Sequence, residues 1–170
     1  VDYDSETGLL DLDALRSMLS DDVAEVYFEK PSFLAVIEAR GAEIAPIAPW
    51  SLGMLTDTGS ITQHIVDCLS GCDGLLLEAN HDTQMLRSGP YPPRLQARVG
   101  GAYGHLSNGQ AAQLLSRLDH GRLRKVLIGH LSEKNNLPEL ARSRLLAAVP
   151  ALESRLTLAR QDRITPWISL

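Results

Sequence analysis

Residues 51–70 read Ser-Leu-Gly-Met-Leu-Thr-Asp-Thr-Gly-Ser-Ile-Thr-Gln-His-Ile-Val-Asp-Cys-Leu-Ser. The first six residues are a short apolar run that predicts a β-strand, and Asp57-Thr58-Gly59 predicts the turn that ends it. Ser60 is placed to cap a helix over residues 61–70, which Gly71 closes. A strand followed at once by a helix is the repeating unit of α/β proteins.

The same alternation continues on both sides of this unit. Apolar runs and helical periodicity predict further strands at 23–29, 75–77, 126–128 and 156–158, and helices at 12–19, 33–47, after Pro93, after Ser107 or Asn108, and from Pro138 to about Val149. Parallel neighbouring strands need a helical crossover between them. The order therefore predicts an α/β layered fold around a mostly parallel or mixed sheet.

The composition is that of a soluble globular protein, with 170 residues of which 44% are apolar and 22% charged. No apolar run approaches the roughly 18 to 20 residues that cross a bilayer, and the acidic residues 1–13 do not resemble a signal peptide. We therefore expect a cytoplasmic protein without a membrane partner. Cys68 and Cys72 are interpreted as small buried hydrophobes in preference to a metal or disulfide pair.

Charge is divided unevenly along the chain. Residues 1–50 carry three basic and eleven acidic side chains, whereas residues 51–170 carry thirteen basic and ten acidic ones. Such asymmetry indicates two joined segments or a surface for an anionic partner, although a solvated charged face is the commoner cause. Five basic residues are available to meet phosphate or to lie solvated on the surface: Arg94, Arg98, Arg122, Arg124 and Lys125.

Two polar residues follow predicted strands directly. Asp57 comes after the strand near residues 51–56, and His130 comes after the strand at 126–128. Ligands collect at the carboxyl ends of strands in open α/β sheets, and a carboxylate with an imidazole suits zinc, manganese or iron. A turn-forming aspartate and a hydrogen-bonded histidine are the commoner roles of such residues taken singly.

Five motifs in this part of the chain resemble a branch of the metallo-β-lactamase superfamily that includes ribonuclease Z-like and phosphodiesterase-like hydrolases. They are Leu55-Thr-Asp-Thr-Gly59, Leu77-Glu-Ala-Asn-His-Asp82, Gly89-Pro-Tyr-Pro-Pro93, Gly104-His-Leu-Ser-Asn108 and His130-Leu-Ser-Glu-Lys-Asn-Asn136. The resemblance runs from about Ser51 to Leu170 and corresponds to the C-terminal half of such a hydrolase. Several motifs in the same order make the resemblance specific.

This resemblance implies a dinuclear site for zinc or manganese that hydrolyses phosphodiesters or nucleic acid. Asp57 would bridge the ions and His130 would bind one of them. His81 and His105 would contact substrate or transfer protons, and a structural role for each is the alternative. Three asparagines are open either to contacts in the crevice or, more commonly, to loop and cap hydrogen bonds: Asn80, Asn108 and Asn135.

The superfamily supplies most metal ligands from an N-terminal half bearing H-x-H-x-D-H, and these 170 residues contain no such motif. We therefore expect an incomplete metal site with reduced or no activity. A half-fold that exposes its former partner face also favours a homo-oligomer.

Residues 1–48 resemble a different protein family. Motifs such as Val26-Tyr-Phe-Glu-Lys-Pro-Ser-Phe-Leu34 are similar to an interior piece of glycine dehydrogenase (decarboxylating) subunit 1, a pyridoxal phosphate family. The chain is therefore interpreted as a chimera of residues 1–50 and 51–170 packed as one α/β domain. Two alternatives to a hydrolase remain, a non-catalytic scaffold and a pyridoxal phosphate protein, and no residue here matches the expected cofactor lysine.

Overall fold

The computed structural model describes residues 50–162, 164–166, 168 and 169, together with Asp13, Ala14 and Ser17, which are helical. The strand predicted at 23–29 and the helix predicted at 33–47 lie outside the described residues. Contacts between Cα atoms divide the chain into two compact units, Val1–Ser51 and Leu52–Leu170. The second unit holds all the elements described below.

Strands and helices alternate through this unit. The strands are β1 (Leu52–Leu55), β2 (Gly74–Glu78), β3 (Lys125–Gly129) and β4 (Leu156–Leu158). The helices are α1 (Gln63–Leu69), α2 (Thr83–Ser88), α3 (Pro93–Val99), α4 (Asn108–Arg117) and α5 (Pro138–Ala148), followed by a 3-10 turn (Pro150–Leu152). The strands form one sheet in the order β1-β2-β3-β4, and each neighbouring pair is parallel. The predicted α/β fold is confirmed.

The core lies on one side of this sheet. Right-handed crossovers between consecutive parallel neighbours put the connecting helices on the same face. Leu77 of β2 and Ile128 of β3 are fully buried there, in one cluster with residues of α1, α4 and α5. Side chains of β1 that alternate to the other face, Leu52 and Met54, are 66% and 63% exposed.

The start of α1 differs from the sequence prediction. Thr62, and not Ser60, caps this helix, because its side chain accepts a hydrogen bond of 3.2 Å from the backbone N–H of Ile65. Ser60 belongs instead to the preceding turn, where its carbonyl accepts a hydrogen bond of 3.1 Å from the Thr58 hydroxyl. The turn after Asp57 therefore extends further than the residue pattern predicts.

Two other helix starts are set by side-chain caps. Ser107 caps α4, and it forms a capping box with Gln110 that fixes this helix start. Helix α2 was not predicted. Asp82 caps it by accepting hydrogen bonds of 2.9 Å from the backbone N–H groups of Gln84 and Met85. At six residues this helix is too short for its periodicity to stand out in the sequence.

The two cysteines differ in environment. Both are free thiols, with Cys72 buried beneath the sheet and Cys68 exposed on α1, so the expectation of two buried cysteines is wrong for Cys68. Within the described part of the chain, no helix combines the length and the apolar character needed to cross a membrane.

Candidate metal centre

Four side chains capable of binding a metal converge at the carboxyl ends of the parallel strands. Asp57 follows β1, Glu78 ends β2, His130 follows β3, and His105 comes from the loop before α4. One ligand atom from each residue lies within 4.8 Å of those of the other three. The structure therefore brings Asp57 and His130 together with His105, and it adds Glu78, which the sequence reasoning did not single out.

Glu78 is the centre of this group. Its side chain is fully buried, and its two oxygens accept four contacts from nitrogen atoms. Oε1 accepts the backbone N–H of Leu106 at 2.5 Å, and Oε2 accepts that of Asp57 at 2.7 Å. Oε2 also lies 2.8 Å from Nδ1 of His130 and 3.2 Å from Nδ1 of His105. A buried carboxylate needs such partners, and here the partners are parts of the site itself.

The backbone at two of these residues is strained. Asp57 has φ of 58° and His130 has φ of 54°, which lies in the left-handed region that residues other than glycine seldom adopt. Each such residue costs on the order of 1–3 kcal/mol and persists where surrounding contacts enforce it. The Glu78 carboxylate holds the Asp57 N–H, and the Asn80 side chain donates to the His130 carbonyl at 2.9 Å. Strain of this kind is concentrated at functional sites.

The donor set fits a divalent metal ion. Metal-binding histidines commonly donate one ring N–H to a carboxylate, which directs the other ring nitrogen at the metal. Glu78 contacts Nδ1 of His105 and of His130, so Nε2 of each ring is the nitrogen that remains to bind a metal. The Asp57 side chain is 67% exposed, and its Oδ1 lies 3.7 Å from Nδ1 of His105. Imidazole nitrogens with a carboxylate oxygen suit zinc, manganese or iron.

His81 does not belong to this group of four. It is 2% exposed, and its Nδ1 has no hydrogen-bond partner among the residues that the structure describes. Burial lowers the pKa of its imidazole, and nearby His105 lowers it further. Its backbone carbonyl accepts a hydrogen bond of 2.9 Å from the N–H of Asn108 at the start of α4. His81 thus lies below the surface, where it joins the β2 end to α4.

A network of buried asparagines supports the loops around the centre. Asn136 donates to the carbonyl of Ala79 at 2.8 Å, and Asn108 donates to Oδ1 of Asn136 at 2.8 Å. Asn80, which holds the His130 carbonyl, is linked to Asn136 through its own carbonyl at 3.2 Å. Asn80 therefore makes loop hydrogen bonds, the commoner alternative, and Asn108 joins the start of α4 to the loop that carries Asn136.

The sequence reasoning missed Glu78 and Asn136 as parts of the site. One signal for Glu78 was available, because it directly follows the apolar run Leu75-Leu76-Leu77. A glutamate at the end of a buried strand is itself buried only when it has partners. No comparable signal marks Asn136, since asparagine is common in loops. Its role depends on contacts with residues about 28 and 57 positions away in the chain.

Part of the chain is similar in sequence to known exodeoxyribonucleases. Exodeoxyribonuclease WalJ of Streptococcus pneumoniae serotype 2 is 44% identical over 91 residues, which are 54% of this chain and 34% of that protein. Exodeoxyribonuclease YycJ of Bacillus anthracis is 34% identical over 91 residues, with the same shares of each chain. The chain thus spans about a third of the length of these curated relatives.

A weaker similarity concerns a different class of protein. The probable glycine dehydrogenase (decarboxylating) subunit 1 of Staphylothermus marinus is 33% identical over 73 residues, covering 36% of this chain and 16% of that protein. No protein-family model matches the chain. The joining of two unrelated segments stays a hypothesis. Over about half of its length, the chain is similar in sequence to the exodeoxyribonucleases WalJ and YycJ.

Proposed function

We propose that this chain carries part of a divalent-metal centre that hydrolyses phosphodiester bonds in nucleic acid. The observation that supports this most directly is the convergence of Asp57, His105 and His130 on the buried carboxylate of Glu78 at the strand ends. The similarity to two exodeoxyribonucleases supports the choice of nucleic acid as the substrate class. Zinc or manganese matches the donor atoms.

In this proposal Asp57 and His130 hold the metal. Asp57 offers an exposed carboxylate, and Glu78 orients His130 through Nδ1. A divalent ion, when bound, supplies Lewis acidity to the phosphodiester and activates water for attack. Two protein ligands fall short of the three that are usual at a catalytic zinc. We therefore propose that the isolated chain binds the ion weakly and has reduced activity.

His105 is the proposed proton donor. Its Nδ1 lies 3.2 Å from Oε2 of Glu78, an arrangement that holds the ring in one orientation. Water forms a new bond to phosphorus and releases a proton to solvent, while the bond to the leaving nucleoside oxygen breaks and His105 gives its proton to that oxygen. His105 then takes up a proton from solvent. His81 is more deeply buried, so its proposed contribution is to position the loop that leads from β2 to α4.

Measurements of metal content and of hydrolysis test metal binding and proton donation separately. The full chain is purified without chelator, its metal is quantified by mass spectrometry, and its cleavage of a chromogenic phosphodiester and a labelled DNA strand is followed with added manganese or zinc. Asp57→Asn and His130→Gln are expected to lose bound metal. His105→Gln is expected to keep the metal and to lose hydrolysis, by about 100-fold.

Glu133→Gln is the matched control, because Glu133 is exposed and follows β3 without joining the group of four. The control is expected to match the unchanged protein in both measurements. A folded protein that unfolds in one cooperative transition, binds neither metal and hydrolyses neither substrate would contradict the proposal.

The second candidate function is a non-catalytic folded scaffold. It is favoured by the assignment of only two protein ligands to the metal, fewer than the three that are usual at a catalytic zinc. A stable, metal-free and inactive chain would support it. A pyridoxal phosphate protein is the third candidate, and it is supported by the similarity to a glycine dehydrogenase subunit. Addition of pyridoxal phosphate without the appearance of a cofactor absorbance band would exclude it.

A further inference from the structure

Tyr103 is fully exposed to solvent on the loop of residues 100–107, which joins α3 to α4 and carries His105; we call it the tyrosine loop. This loop is held by its own backbone, since the N–H of Gly104 donates to the carbonyl of Gly101 at 2.9 Å and that of His105 donates to Val99 at 2.8 Å. The tyrosine ring is therefore presented to solvent from a constrained turn. A single exposed aromatic side chain is common on protein surfaces, so a role for Tyr103 depends on what lies beside it.

The loop also contacts the turn that carries Asp57. A methyl group placed on Gly59 would overlap the carbonyl oxygen of Gly101 and would lie 2.8 Å from the backbone nitrogen of Gly104. The two backbones therefore touch, and only glycine fits between them. Tyr103 is two residues from His105, which limits their Cα separation to about 7 Å. The exposed ring stands next to the metal centre.

Two positively charged side chains lie on α3, the helix that precedes the tyrosine loop. Arg94 and Arg98 are exposed and lie four residues apart on α3, so they share one face of this helix. The guanidinium group of neither arginine makes a hydrogen bond or ion pair with any residue that the structure describes. A methyl group placed on Gly104 would overlap the carbonyl of Arg98, so the last turn of α3 is packed against the tyrosine loop.

We propose that Tyr103 stacks against an unpaired base beside the scissile phosphodiester, while Arg94 and Arg98 neutralise neighbouring phosphates. An aromatic platform next to free cations is the arrangement that binds single strands with little dependence on sequence, because every base has a π-face. Bases inside a duplex are already stacked and do not meet the ring. This inference rests on the proposed function and specifies its substrate as single-stranded nucleic acid.

Binding to the full chain in the presence of a chelator tests the inference without any cleavage. Fluorescence anisotropy is measured with a labelled oligothymidylate single strand and with a labelled blunt duplex. Tyr103→Ala is expected to weaken binding of the single strand about tenfold, the usual effect of removing one stacked base contact. Tyr103→Phe is expected to bind within about twofold of the unchanged protein, because phenylalanine also stacks.

The arginines are tested through the salt dependence of binding. Arg94→Gln and Arg98→Gln are each expected to reduce the slope of log affinity against log salt by about 0.7, the value for one phosphate contact to a single strand. Arg144→Gln is the matched control, because Arg144 is an exposed arginine on α5, among the residues of a separate groove. The control is expected to leave the slope unchanged.

Tyr103→Ala with unchanged affinity, or with the same loss on duplex as on single strand, would overturn the inference. The unfolding midpoint of each variant is expected to be unchanged, since all three side chains are exposed. Tyrosine-dependent binding without metal-dependent cleavage would contradict the proposed hydrolysis and keep the inference. Cleavage of DNA without any dependence of binding on Tyr103 would contradict the inference alone.

Discussion

Nδ1 of His130 lies 2.8 Å from Oε2 of Glu78, across the ends of two neighbouring parallel strands. Glu78 ends β2 and is fully buried, whereas the side chain of His130 is 40% exposed. The contact therefore joins the interior of the sheet to the surface at the candidate metal centre. It holds the ring of His130 in one orientation.

Replacement of Glu78 by glutamine is expected to weaken metal binding. Removing the carboxylate that orients a metal-binding histidine reduces affinity by about 10- to 100-fold. The amide also turns an N–H₂ group towards donors, which costs roughly 1–3 kcal/mol in the free energy of unfolding. Competition titration with a metal indicator and urea denaturation measure the two effects.

Glu133→Gln serves as the control for the loss of charge, because Glu133 is exposed. If both variants bind metal equally well, Glu78 does not support the centre.

Replacement of Asn136 by alanine is expected to destabilise the protein. The side chain is 3% exposed. It donates to the carbonyl of Ala79 and accepts from the side chain of Asn108 and from the N–H of Leu137. Its loss leaves buried groups without partners, which lowers the free energy of unfolding by about 3 kcal/mol. Urea denaturation is expected to show a lower midpoint with an unchanged slope.

Gln113→Ala is the matched control, because Gln113 is exposed on α4. It is expected to change the free energy of unfolding by less than about 0.5 kcal/mol. Equal stability of the two variants would argue against the asparagine network.

Replacement of Gly59 by alanine is expected to separate the Asp57 turn from the tyrosine loop. The added methyl group overlaps the backbone of Gly101, and backbone cannot move aside as a flexible side chain can. Overpacking of this kind costs about 1–3 kcal/mol. Thermal denaturation is expected to show a lower midpoint.

Gly129→Ala provides the comparison, because a methyl group there meets no atom within 4 Å. It is expected to be much less destabilising than Gly59→Ala. A Gly59→Ala protein as stable as the Gly129→Ala protein would contradict the close approach of the two backbones.

Cys72 predicts a specific loss of stability at alkaline pH. Burial raises the pKa of its thiol from 9.0 to about 11. The unfolded thiol therefore ionises first, so the stabilisation is complete below pH 9 and is lost as the pH rises towards 11. The expected loss over this range is at most about 3 kcal/mol, since each unit of pKa is worth about 1.4 kcal/mol.

Urea denaturation at several pH values is expected to show a flatter alkaline decline for Cys72→Ala than for the unchanged protein. Cys68→Ala is the control, because Cys68 is exposed. A decline that is the same in all three proteins would show that Cys72 does not titrate in this way.

Local features of the sequence predicted most of the fold of the second unit. Apolar runs of strand length mark β2 and β3, and Pro138 marks the start of α5. These signals are read from neighbouring residues, so they do not depend on the rest of the chain. They are weaker where elements are short, which explains the missed helix α2 and the choice of Ser60 over Thr62.

The site was predictable only in part. Asp57 and His130 stand at strand ends, so a parallel sheet alone suggested that they meet. Glu78 and Asn136 take their places in the site through contacts that the sequence does not encode locally.

The sequence by itself determined the alternation of strands and helices and the two polar residues that end β1 and β3, because periodicity and turn chemistry are local. The tertiary structure alone decided that Glu78 faces inward to hold His105 and His130. It also decided that the loop of Tyr103 rests on the Asp57 turn. The register of the sheet and the packing of distant loops set these contacts, and both depend on residues far apart in the chain.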